Sequence, residues 1–458
     1  RTTKNGSIRM PPLTRALERV VVTGLGAVTP LAATATASWR SLIEGKSGIG
    51  PLKEDWVEEK KIKSKVAATI PVDEKESFLH AKAPLSPLFV QYALAAAKEA
   101  MEDANYEPKS EDEKRRAGVA VGSGIGNIDE IANAVRTMDT RGIRRISPYF
   151  VTHILVNMAA GQISIAHNLK GPNHAASTAC ATGANAIGDA FRIIRSGDAD
   201  VMLAGGTESC IDPLSLGGFS QMRALSTKYN DTPEAASRPF DTQRDGFVIG
   251  EGAAVLMLES LSHAQKRGAK CYAEIVGYGM SGDAHHVTAP SPFGHGAEAC
   301  MRAALKDADL DPRIIGYINA HATSTPLGDK IEAAAISRLF GAVEGVENEN
   351  LPYVSSVKGA IGHTLGAAGA IEALFAILAL HENVLPPTLN LHNPEAAIEG
   401  WATGDEALKA DEIYYPPINH IPFEAIRPET PIQAVLSNSF GFGGVNASLA
   451  FVKSQVNS

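Results

Sequence analysis

Short apolar strands, glycine turns and helices follow one another twice in this chain, and no other feature restricts the fold as much. Arg19-Val20-Val21-Val22-Thr23-Gly24 is an apolar strand entering a glycine turn, and Tyr272 to Gly279 repeats it. Apolar spacing predicts a helix over Leu88 to Ala104 ending in Asp103-Ala104, and another over Ala297 to Ala308 ending in Asp307-Ala308. Ala117 to Gly122 and Ile315 to Ala320 read as the strands that follow, and Val201 to Gly206 is matched by Val435 to Gly441. A period of about half the chain is far longer than a solenoid repeat. Strands alternating with helices argue for an α/β protein. Two similar α/β layers must then share one core, with chemistry at the joint. The boundary falls near Arg267 to Lys270. It divides the chain into a basic arm (1–18), a first half (19–268) and a second half (269–458).

A chain of 458 residues can bury a sizeable core. No stretch is expected to reach the roughly 18–20 apolar residues that cross a bilayer. The four cysteines, Cys180, Cys210, Cys271 and Cys300, show no metal-type spacing and read as reduced thiols. A net charge of −9 argues against general nucleic-acid binding, while leaving room for a local basic patch. Gly24-Leu25-Gly26 lacks the third glycine of a dinucleotide site. Arg1, Lys4, Arg9 and Arg15 precede the first acid, Glu18. Such an arm reads as the end of an organellar targeting segment, ahead of a disordered arm or a cloning remnant.

Cys180 sits among small residues in Ser177-Thr178-Ala179-Cys180-Ala181-Thr182-Gly183. The helix expected over Ala184 to Arg195 places it at a helix N-terminus. Unpaired N–H groups there favour a thiolate, so its pKa is expected to be depressed. Taken alone, an inert buried thiol is an equal reading. Two further segments weigh against that: Asn319-Ala320-His321-Ala322-Thr323-Ser324-Thr325 and Lys358-Gly359-Ala360-Ile361-Gly362-His363. A nucleophile with two histidines in small-residue turns suggests covalent catalysis.

These motifs, with Pro326 to Asp329 and Asn438-Ser439-Phe440-Gly441-Phe442-Gly443-Gly444, resemble the β-ketoacyl-acyl carrier protein synthases. Those are the elongating condensing enzymes of dissociated fatty acid synthesis. The similarity runs from about Arg19 to Phe451. Ala322 resembles the mitochondrial branch, since bacterial members usually carry glycine there. Val357, Ile361 and Val445 depart from the common pattern without removing a functional side chain.

The resemblance implies a thiolase-like fold, two halves forming a five-layered α-β-α-β-α core, usually as a homodimer. It implies Cys180 as nucleophile, with His321 and His363 acting on a malonyl unit and Lys358 and Glu372 organising the site around His363. The N–H groups of Cys180 and Phe440 would form an oxyanion hole, Phe440 also gating access. Ile125 and Phe219 would line the acyl tunnel, with core packing as the alternative. Thr323 and Thr325 would bind the pantetheine arm. Arg144, Arg145 and Arg223 would dock an acidic carrier protein, with a solvated charged face as the alternative. The basic docking helix of bacterial members is weakened here, with only Lys82 in Phe78 to Leu88. The implied reaction is decarboxylative condensation of malonyl-carrier with the acyl group on Cys180, with no metal or organic cofactor. The implied partners are acyl- and malonyl-carrier proteins, with no nucleic acid and no membrane. The implied compartment is the mitochondrial matrix, with plastid or cytoplasm as alternatives. A thiolase would need a second catalytic cysteine in the second half. An initiating synthase would carry asparagine at His363, and a non-catalytic partner subunit would lack Cys180.

Overall fold

The computed structural model describes residues 17–78, 86–341, 351–394 and 418–454. The basic residues of the arm, and Lys82, lie outside them. The first half contributes strands β1 (Val20–Val28), β2 (Ile49–Pro51), β3 (Val66–Ala68), β4 (Ala117–Gly122), β5 (Asn173–His174), β6 (Val201–Glu208) and β7 (Gly252–Ser260). The second contributes β8 (Ala273–Gly282), β9 (Ile315–Asn319), β10 (Tyr353–Ser355), β11 (Asn419–His420), β12 (Ala434–Gly441) and β13 (Val445–Val452). β2 and β3 form a separate ribbon. The other strands form one sheet in the order β11-β10-β9-β12-β13-β8-β1-β7-β6-β4-β5.

That order contains the duplication. Counted in chain order with the edge strand β11 set aside, β5-β4-β6-β7-β1 and β10-β9-β12-β13-β8 are the same arrangement: third, second, fourth, fifth, first. In each, the fifth strand runs antiparallel to both neighbours. The halves also meet edge to edge, where Val20–Val22 of β1 pair antiparallel with Ala273–Ile275 of β8.

Helices supply the remaining layers. Helix Leu88–Asp103 buries Phe89, Tyr92, Ala93, Ala96 and Ala100 at helical spacing against β1 and β7. Helix His295–Ala308 covers β8 and β13 in the same way. Helices Thr182–Arg195 and Ala368–Glu382 lie between the two halves of the sheet and touch strands of both. The result is a five-layered α-β-α-β-α core. The stretch Leu365–Glu382, with a mean hydropathy of 1.5, is long and apolar enough to span a bilayer, contrary to the expectation. It is almost wholly buried, which is why it is apolar on every side.

The two central helices touch at their N-termini by a symmetric contact. A Cβ on Gly183 would stand 2.6 Å from the Ala370 nitrogen, and one on Gly369 would stand 2.8 Å from that of Ala184. Only glycine permits this approach. Each helix is entered through a short 3₁₀ turn, Ala179–Ala181 or Leu365–Ala367. Both turns begin on a non-glycine residue in the left-handed region, Ala179 at φ +50° and Leu365 at φ +49°. Such residues cost about 1–3 kcal/mol each and persist where the surroundings enforce them. By this symmetry Cys180 corresponds to Gly366, and His363 to Ser177.

Candidate active site

Cys180 occupies the middle of the first strained turn and is buried. His363 Nε2 lies 3.0 Å from its sulfur. Gly362, at φ +63°, ends the short helix Lys358–Ile361 and turns the chain toward the first half. There the His363 N–H donates to the Val248 carbonyl (2.7 Å), and the His363 carbonyl accepts from the Gly250 N–H (2.9 Å). The second half thus supplies the imidazole and the first half clamps its backbone.

His321 follows the end of β9. The Glu332 carboxylate accepts from the backbone N–H groups of His321 (2.9 Å) and Ala322 (2.7 Å), and from Asn438 Nδ2 (3.2 Å). Lys358 Nζ sits 3.4 Å from His321 Nδ1 and forms a buried ion pair with Glu372. An ammonium has only protons to give, so Nδ1 accepts and the His321 ring proton sits on Nε2. Lys358 therefore touches His321 directly and reaches His363 through its charge. The rings of His321 and His363 meet edge to face, 5.4 Å between centroids. The sulfur and the histidine nitrogens lie within 4.8 Å of one another.

Burial dominates the proton equilibria. It pushes the Cys180 thiol up to about 12, with Lys358 pulling the other way. A helix N-terminus is worth at most about 2 kcal/mol, against about 4 kcal/mol for that rise. The expected depressed thiol pKa is thus corrected: desolvation outweighs the helix terminus. Burial, aided by the Lys358 cation, drives His321 and His363 well below the usual imidazole range. At rest the site holds a neutral thiol against neutral imidazoles.

Cys180 and both histidines face a cavity of about 560 Å³. Ile125, Phe219 and Leu365 contribute apolar wall, and Thr323 and Thr325 line it with their hydroxyls 3.1 Å apart. Arg223 also lines it. Arg144 and Arg145 are exposed on the turn Ile143–Arg145, which lies outside the lining. Phe440 packs its ring edge-on against His321, 5.6 Å between centroids. Among the influences on the Cys180 thiol, the Phe442 backbone N–H is a small one that favours the thiolate. Phe440 is still in the ladder opposite Asn446, and the chain leaves β12 only after Gly441.

Residues 17–264 match the family description "Beta-ketoacyl synthase, N-terminal domain", and residues 272–392 match its C-terminal counterpart. The chain belongs to the β-ketoacyl synthase family. It is 49% identical over 451 residues to the mitochondrial 3-oxoacyl-[acyl-carrier-protein] synthase of Arabidopsis thaliana, covering 94% of this chain and 93% of that protein. It is also 49% identical over 444 residues to a putative mitochondrial synthase of the same name from Schizosaccharomyces pombe, covering 95% and 99%. Its fold matches a ketosynthase solved with the acyl-carrier protein of a type II polyketide synthase, with a TM-score of 0.82 and 32% identity over 96% of this chain and 100% of that one.

Three carboxylates that support this β-ketoacyl synthase site had been given no role from the sequence. Glu332 is one. Asp329 accepts from the N–H groups of Ser324 (3.1 Å), Thr325 (3.2 Å) and Phe240 (2.9 Å), fixing the turn after His321. Glu208, at the end of β6, accepts from Ser123 Oγ (2.6 Å) and from the N–H groups of Gly124 (2.8 Å) and Gly366 (3.0 Å). It ties the loop carrying Ile125 to the turn that mirrors Cys180. A lone carboxylate closing an apolar strand, as Glu208 does, is the one signal the sequence offered.

Proposed function

We propose that this chain extends fatty acyl groups by decarboxylative condensation of malonyl-carrier protein with an acyl group held on Cys180, giving a 3-oxoacyl-carrier protein and CO2. The observation that carries this reading is one thiol and two imidazoles converging at the wall of an apolar cavity. In the first step the Cys180 sulfur attacks the acyl thioester while His363 Nε2, at 3.0 Å, takes the thiol proton. The carrier's sulfur departs and receives that proton, so a thioester replaces a thioester. Malonyl-carrier then loses CO2, leaving an enolate. His321, its proton placed on Nε2 by Lys358, donates to the enolate oxygen beside His363. The enolate carbon attacks the acyl-Cys180 carbonyl, and backbone N–H groups beside Cys180, with that of Phe442 among the candidates, hold the oxyanion. Collapse frees the Cys180 sulfur.

A thiolase reading is not favoured. Among the described residues Cys180 is the one cysteine lining the cavity, and Gly366 holds the symmetry-related position in the second half. The test is a set of variants assayed separately for self-acylation and for malonyl decarboxylation. Cys180→Ala abolishes acyl transfer. His321→Ala still self-acylates but loses condensation by about 10²-fold or more, and His363→Ala is slower in both steps. Full condensation in any of the three would remove that residue from the mechanism.

The same reading gives the chain acyl- and malonyl-carrier proteins as partners, a mitochondrial matrix location by its likeness to synthases named mitochondrial, and a homodimeric state. The homodimer is supported by helix Ile128–Arg141, which leaves Ile131, Val135 and Met138 exposed along one face, with Ile143 and Val151 exposed nearby.

A further inference from the structure

We propose that Cys180, His321 and His363 also form a binding site for a thiophilic divalent cation, Zn²⁺ foremost, and that such an ion inhibits the enzyme reversibly by capping the nucleophile. The donor set is one sulfur and two imidazole nitrogens, all buried and all within 4.8 Å of one another. That mixture suits Zn²⁺ and cobalt(II), whereas Mg²⁺ and Ca²⁺ require oxygen ligands. Zinc bonds of about 2.0–2.3 Å at tetrahedral angles place ligand atoms about 3.4–3.6 Å apart. The His363–Cys180 pair, at 3.0 Å, has to open slightly, while donor atoms as much as 4.8 Å apart have to close onto the ion by side-chain rotation.

The orientation of the rings agrees with this. Lys358 occupies His321 Nδ1 and leaves Nε2 free, while His363 already presents Nε2 to the sulfur. Glu372 offsets part of the Lys358 charge that the ion would meet. Glu332 fixes the His321 backbone, and Val248 and Gly250 fix that of His363, so the side chains alone have to move when the metal arrives. Three protein ligands leave a fourth position open to the cavity for water. Binding forms a metal–sulfur bond and releases the thiol proton to solvent, with no change of oxidation state. The same sulfur cannot then attack a thioester. The inference rests on geometry alone and stands whether or not the condensation reading does.

The test uses the whole chain freed of metal by a chelator and titrated with Co²⁺. The expected result is one ion per chain and a thiolate-to-cobalt charge-transfer band, abolished by Zn²⁺ displacement. Prior alkylation of Cys180 by iodoacetamide removes the band without altering the fold. His321→Ala and His363→Ala weaken Co²⁺ binding by about tenfold or more. Cys271→Ser, distant from the cavity, leaves binding and activity unchanged. Zn²⁺ slows alkylation of Cys180 and inhibits turnover until EDTA is added, whereas Mg²⁺ does neither. A band that survives alkylation of Cys180, or Zn²⁺ inhibition that leaves Cys180 alkylated at its usual rate, overturns the proposal.

Discussion

Cys180 and His363 meet as two neutral groups, and that sets how the nucleophile is activated. With its thiol pushed up to about 12, Cys180 gains thiolate continuously as pH rises through the working range. A stored thiolate–imidazolium pair would instead give a plateau. The alkylation rate of Cys180 by iodoacetamide is therefore expected to climb by nearly tenfold per pH unit from about pH 7 to about pH 9. His363→Ala lowers the rate at each pH by removing the proton acceptor. A flat profile above pH 7 would falsify the neutral pair. Cys180 and both histidines were legible in the sequence because each stands in a small-residue turn of distinctive composition. The Phe442 amide was not, since two phenylalanines flank Gly441 and only the register of β12 against β13 decides which one leaves the ladder.

At the scale of elements, two turns that border the chemistry are held by a buried carboxylate rather than by their own sequence. Glu208 receives backbone N–H groups on both oxygens, from Gly124 and Gly366 on one and from Gly126 at 3.3 Å on the other. In Glu208→Gln either orientation of the amide turns an N–H toward an N–H. The expected cost is about 1–3 kcal/mol of stability, read by denaturant unfolding. The loop carrying Ile125 loosens with it, so the preference among acyl chain lengths broadens. Unchanged stability and an unchanged chain-length profile would show that the clip is idle. Helices and long strands were readable from their periodicity, as with Leu88–Asp103 and β12. Glu208 escaped notice because its partners lie 82 to 158 residues away. The strain at Ala179 and Leu365 escaped because alanine and leucine give no sign of a left-handed backbone.

At the scale of the whole molecule, the duplicated fold leaves two surfaces to explain. The exposed apolar face of helix Ile128–Arg141 is where the proposed homodimer would place its second copy. Val135→Glu combined with Met138→Glu is expected to yield monomers by light scattering, and a dimer that survives both charges places the contact elsewhere. The second surface is the approach to the cavity. The protein carries a net charge of −9, yet Arg223 lines the cavity and Arg144 and Arg145 stand exposed on the Ile143–Arg145 turn. If these arginines steer an acidic carrier, reversing Arg144 and Arg145 to Glu raises KM for acyl-carrier substrate with little change in kcat, as loss of uniform binding requires. Added salt weakens the wild-type reaction more than that of the double variant, because screening removes an attraction the variant has already lost. Short acyl-pantetheine thioesters, which reach Cys180 without a carrier, react equally with both forms. A double variant that also fails on those thioesters has lost its fold or its active site, and the arginines then have no docking role to explain.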